Sequence, residues 1–66
     1  MTDFPTSRQM IVALIEKHGM RQTEIAEKIG LSQGRVSQLY SREREMKSSA
    51  FQRLAALYFE KETKHD

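Results

Sequence analysis

The chain has 66 residues, 38% hydrophobic and 30% charged, with a formal net charge of +2 and no cysteine. A chain this short makes one small domain, residues 1–66, that buries only about 60% of its unfolded surface. Disulfides, thiolate chemistry and cysteine-based zinc sites are excluded, and no apolar run approaches the roughly 18 residues that span a bilayer.

The longest apolar run, Met10–Ile15, lacks the charged lead and small-residue cleavage site of a signal peptide. A cytoplasmic protein with no membrane role is therefore expected. His18 and His65 stand far apart in sequence, with no carboxylate or second histidine at ligand spacing, so no metal or other cofactor is expected. Residues 1–30 are balanced in charge. Residues 31–53 carry Arg35, Arg42, Arg44, Lys47 and Arg53 against Glu43 and Glu45, so the positive excess sits in one segment. A phosphate-facing surface requires such a concentration, although a solvated face shows it too.

The first helix is expected after Pro5, capped by Thr6 with Gln9 at capping-box spacing. Ile11, Leu14, Ile15 and His18 fall on one face, and Gly19 suits the left-handed residue that ends a helix. Met10 and Val12 lie off that stripe and are expected to leave apolar surface exposed. The second helix runs from about Gln22 to Ile29. Met20 and Ile25 make a hydrophobic staple around Arg21, a poor N-cap, and Gly30 stops the helix. The third helix, Gln33–Ser41, has Ser32 as N-cap and the same staple spacing between Leu31 and Val36. Val36, Leu39 and Tyr40 are its inward residues. Only Gly30-Leu31-Ser32 separates helices two and three, a tight turn that makes them cross steeply. A polar loop, Ser41–Lys47, leads to a fourth helix capped by Ser48 or Ser49 and ending near Glu62. Its expected core stripe is Phe51, Leu54, Ala55 and Tyr58, and the tail 63–66 is expected to fray.

The segment 22–41, QTEIAEKIGLSQGRVSQLYS, resembles the helix-turn-helix of the lambda Cro/repressor family of phage and bacterial transcription regulators. Ile25 and Ala26, then Ile29, Gly30 and Leu31, then Val36 and Leu39 occupy the positions that pattern asks for. Ala26 is small because the next helix crosses close to it. Gly30 supplies a backbone angle larger residues resist. The resemblance implies an all-α, compact four-helix domain with a central helix-turn-helix. It also implies a regulator that binds double-stranded operator DNA through the major groove; no small-molecule ligand is expected, and with no activated nucleophile, phosphate loop or metal cluster in the sequence no enzymatic activity is expected either.

Carried onto this sequence, the resemblance makes Gln33, Gly34, Ser37 and Gln38 the base-reading positions. Gln33 and Gln38 can each pair bidentately with adenine. Gly34 departs from the usual polar side chain, and either permits close backbone approach or leaves its base pair unread. Arg35 stands in a first helical turn, where a cation opposes the helix dipole. It is expected on a phosphate or a guanine. Gln22 matches the family's phosphate-binding position at the start of helix two, with Thr23 and Arg21 as weaker candidates. Arg42, Arg44 and Lys47 are placed to grip the DNA backbone.

Relatives commonly dimerise on two half-sites about 34–36 Å apart, and many carry a fifth helix for which this chain ends too soon. A homodimer interface is therefore expected over Ala56, Leu57 and Phe59, with Phe4 and Met46 as further contributors. A thin monomeric core is the competing use of these residues. RVSQLYSRERE (residues 35–45) also resembles the helix-turn-helix of promoter-reading sigma factor region four. A complete N-terminal helix and a following helix fit the repressor type better. An antitoxin or adaptor docking through the helix-four apolar surface is the reading from a different class. The acidic pairs Glu43/Glu45 and Glu60/Glu62 sit among basic residues in a loop and a helix end, and read as solvated.

Overall fold

The computed structural model describes residues 5–42 and 44–63. Among them are four α-helices and no strand: α1 Ser7–Glu16, α2 Gln22–Ile29, α3 Gln33–Ser41 and α4 Ser48–Thr63. Phe4, Glu43 and the tail 64–66 lie outside the described residues.

Each helix start has a local cause. Thr6 Oγ1 accepts from the Gln9 N–H at 3.2 Å, and Gln9 Oε1 accepts from the Thr6 N–H at 2.9 Å, which closes the capping box of α1. Arg21 is the N-cap of α2. Its N–H donates to the Glu24 carboxylate at 2.9 Å, so Glu24 supplies the reciprocal bond that makes a poor cap serviceable. Ser32 Oγ accepts from the Arg35 N–H at 3.2 Å at the start of α3. For α4, neither serine is the cap. The Lys47 carbonyl already accepts the first helical bond, from the Phe51 N–H at 2.9 Å, so Ser48 and Ser49 lie within the first turn.

Two glycines end helices in the left-handed region. Gly19 has φ +71° after α1, and Gly30 has φ +78° as the C-cap of α2. The Gly30 and Leu31 N–H groups both bond the Ala26 carbonyl, at 2.9 and 3.0 Å, which folds the chain back within three residues. Gly30 has a second constraint. A Cβ there would stand 3.0 Å from Arg53 Nη1, so the guanidinium of α4 lies over the turn.

The core is one cluster drawn from all four helices. Met10, Ile11, Leu14, Ile25, Val36, Leu39 and Leu54 are fully buried, with Ile29, Ala26 and Leu57 nearly so. Packing corrects the periodicity at two places. Met10, expected at the surface, is buried, because α1 packs against both α3 and α4 and so needs a broader apolar face than one stripe. In α4 the innermost line is Ala50, Leu54 and Leu57, while Phe51, Ala55 and Tyr58 are half-buried on its flank. Both lines share Leu54. Helical spacing alone does not say which flank a neighbour covers.

The far ends of α1 and α4 are tied by charge. Glu62 accepts from Lys17 Nζ at 3.0 Å and lies 2.8 Å from His18 Nε2. These hydrogen bonds, His18's first, hold the Glu62 carboxyl below its ordinary value. His18, which has no carboxylate at ligand spacing in the sequence, gains one 44 residues away. Glu62 is thus half-buried and paired, not simply solvated.

Candidate nucleic-acid interface

The helix-turn-helix holds α3 against the rest of the domain by one side. Val36 and Leu39 are fully buried, Leu31 packs half-buried beside them, and Tyr40 closes the flank towards α1. The Tyr40 hydroxyl donates to Glu16 Oε2 at 2.6 Å, and that bond raises the phenol's pKa by favouring its protonated form. The Tyr40 carbonyl accepts from Arg8 Nε at 3.2 Å. Ser7 Oγ donates to the Arg44 carbonyl at 3.3 Å. The N-terminal turn of α1 therefore pins both the end of α3 and the loop that follows. Neither Arg8 nor Ser7 stands out in the sequence, because their partners are backbone carbonyls more than 30 residues away.

With one side docked, α3 turns the other outwards. Gln33, Gly34, Gln38 and Ser41 are exposed and Ser37 is half-buried. The four expected reading positions thus share one face. Beyond its chain neighbours and the adjoining α3 backbone, nothing described lies within 4 Å of where a Gly34 Cβ would be, so the glycine is not required by packing.

Around this face sit the expected backbone-gripping groups. Gln22 is half-buried at the start of α2 and Thr23 is exposed beside it. Gln22 Oε1 accepts from Gln33 Nε2 at 2.8 Å. That bond ties together two of the expected contact residues, one from α2 and one from α3. It commits one Gln33 N–H and leaves both Gln22 amide N–H groups free to donate. Arg42 ends α3 in an extended conformation (φ −154°, ψ 157°), which carries the chain away from the helix axis. Arg42 and Arg44 are exposed and, with Ser37, Gln38 and Ser41, line a shallow depression of about 160 Å³. Lys47 is exposed at the start of α4.

Arg35 takes a place the sequence does not disclose. Its Nη2 donates to the Glu45 carbonyl at 3.0 Å, so the side chain crosses from the first turn of α3 to the following loop. This bond leaves other guanidinium N–H groups for a ligand.

At the expected interface on α4, the three residues separate. Leu57 is 6% exposed and packs into the monomer's own core, whereas Phe59 is 43% exposed and Ala56 is exposed beside it. Leu57 is buried because it lies three residues beyond Leu54, on the line that faces α1 and α2. Met46 is half-buried against the core.

The geometry is that of a domain presenting one polar helix with cations around it. Comparison with known families matches residues 5–56 to sigma-70, region 4. The chain belongs to the sigma-70 region 4 family. Region 4 is a DNA-binding helix-turn-helix domain, and the match runs from before α1 into α4. It is not specific to the lambda Cro/repressor type, which the helices flanking the motif ranked first. A recognition helix held as α3 is held here needs a small residue at Ala26, a turn at Gly30 and anchors at Val36 and Leu39, whichever of the two types it belongs to. No curated protein and no solved structure matches this region 4 domain. No helix of the described residues is long and apolar enough to cross a membrane.

Proposed function

We propose that this chain is a sequence-specific double-stranded DNA-binding regulator of transcription that inserts α3 into the major groove. The supporting observation is the exposed polar row Gln33, Gly34, Gln38 and Ser41 on a helix whose other side is locked into the core. In this reading Gln33 and Gln38 read base edges and Ser37 contacts a base or a phosphate. Gln22, Thr23, Arg35, Arg42, Arg44 and Lys47 hold phosphates and fix the register without reading sequence. The Gln22–Gln33 bond couples the two tasks, because a phosphate drawn to Gln22 orients the side chain that reads the neighbouring base pair. The protein acts in the cytoplasm, without a cofactor and without enzymatic activity.

The family match favours promoter DNA, bound by a single domain, as the target. A Cro-like repressor is the second reading, in which a homodimer uses Ala56 and the exposed Phe59 to seat two recognition helices on operator half-sites. Selection of sites from random duplex DNA separates them. An asymmetric site and a monomeric complex support the first, and a palindrome with two half-sites supports the second. On the selected duplex, Gln33→Ala should relax preference at one base pair. Arg42→Ala should weaken all sequences alike and lower the salt slope by about one. No enrichment of any sequence, with both variants indistinguishable from wild type, would overturn the assignment.

A further inference from the structure

A groove lies beside α3. Its volume is about 570 Å³, and it runs between the α2–α3 turn, the first turn of α3 and the start of α4. Arg35, Lys47 and Arg53 line it, over a floor that includes Leu31 and Met46, and no Asp or Glu of the described residues does. Two of these cations sit where helix electrostatics oppose them. Arg35 is in the first turn of α3 and Lys47 directly precedes α4, and neither helix has an acid in its first turn. Anionic groups are favoured at both places. Three cations, two of them placed against local preference, with no Asp or Glu of the described residues lining the groove, mark a surface shaped by a ligand.

The position of the groove on α3 identifies the ligand. Gln22 touches α3 at Gln33, and Arg35 stands two residues further on, about 200° around a helix of 3.6 residues per turn. Gln22 and the groove therefore flank opposite sides of α3. A helix about 10 Å across fills a major groove about 12 Å wide, so a phosphate strand passes on each side of it. We infer that the Arg35–Lys47–Arg53 groove seats the phosphates of the second strand, and that Arg53 of α4 is a DNA contact in its own right. This rests on the DNA-binding reading above. Arg53 lies outside the helix-turn-helix motif, 18 residues after Arg35 and more than a turn into α4, so only the fold brings it to the site. The Arg53 guanidinium lies over Gly30, and the Arg35 guanidinium is held near the groove on the Glu45 carbonyl before DNA arrives. That ordering lowers the entropy cost of binding.

The test is anisotropy of the selected, labelled duplex between 50 and 200 mM salt. One phosphate contact contributes about 0.9 to the salt slope, which is about 3.5-fold in affinity over that range. Arg53→Gln should reduce the fall in affinity across the range by that factor and leave base preference unchanged. Arg53→Lys should keep the wild-type slope, as should Lys28→Gln, which removes an exposed α2 cation outside the groove. Thermal midpoints within a few degrees of wild type would show that the variants fold. A wild-type slope for Arg53→Gln, with Arg42→Ala reduced, would overturn the groove assignment while sparing the DNA-binding reading. A polyglutamate peptide that binds wild type but not Arg53→Gln, with the duplex slope unmoved, would assign the groove to an acidic protein partner and overturn it equally. Failure of the wild type to bind any duplex would remove both.

Discussion

Gly34 offers a clean separation of stability from recognition. It lies in the first turn of α3, is exposed, has no positive φ, and leaves open space around the position of a Cβ. Gly34→Ala therefore adds a methyl group that meets nothing in the free protein and removes backbone entropy from the unfolded chain. Glycine in a helix costs roughly 0.5–1 kcal/mol relative to alanine. For a domain of this size 1 kcal/mol moves the thermal midpoint by about 4–8 °C, so the variant should melt about 2–8 °C above wild type by circular dichroism. On DNA the expectation reverses. In the proposed reading, with Gln33 and Gln38 beside it on the exposed face, Gly34 lets the backbone approach the base pairs. The methyl should then cost about 1–3 kcal/mol of specific binding, the size of one good base contact, with an unchanged salt slope. Gly30→Ala is the contrast, since φ +78° penalises any side chain and Arg53 Nη1 stands 3.0 Å from the new atom. It should lose about 1–2 kcal/mol of stability from the left-handed conformation alone. A lower midpoint for Gly34→Ala would refute the packing reasoning. Unchanged specific affinity would show that its base pair is unread.

Leu57→Ala should cost about 2–5 kcal/mol, as for other buried leucines, whereas Phe59→Ala should leave the midpoint almost unmoved. Chemical denaturation would measure both, and equal effects would contradict the placement of Leu57 in the monomer core. The Glu62 ties to His18 and Lys17 give the stability an acid limb. Because the folded carboxyl titrates below its ordinary value of 4.5, its contribution is complete above that pH and is lost as pH falls further. Glu62→Gln should therefore melt below wild type near neutrality, with the gap closing below about pH 4.5. A gap that widens in acid would reverse the sign and the explanation.

How much was legible in the sequence differs by element. The caps of α1 and α3, the stops at Gly19 and Gly30, and the docking residues Ile25, Ala26, Val36 and Leu39 all follow from local rules, because each depends on neighbours within four or five residues. The common face of Gln33, Gly34, Ser37 and Gln38 follows from helical spacing once Val36 and Leu39 are known to point inwards. Glu24 could have been found too, since its spacing from Arg21 is that of a capping box whose first member is unusual.

What escaped local reading depends on how helices meet. Met10 is buried because α1 has two neighbours, and Leu57 because α4 turns that flank towards α1 and α2. The choice between the region 4 and lambda types was not decided by the motif, since the mechanics of docking a recognition helix impose the same residues on both. The sequence by itself determined where α1, α2 and α3 start and stop and which side of α3 is left exposed, because capping, turn chemistry and periodicity act over a few residues. Only the tertiary structure decided which residues surround that helix. The bond from Gln22 to Gln33, the reach of Arg35 to Glu45, and the arrival of Arg53 beside Arg35 and Lys47 all join groups that chain order keeps apart.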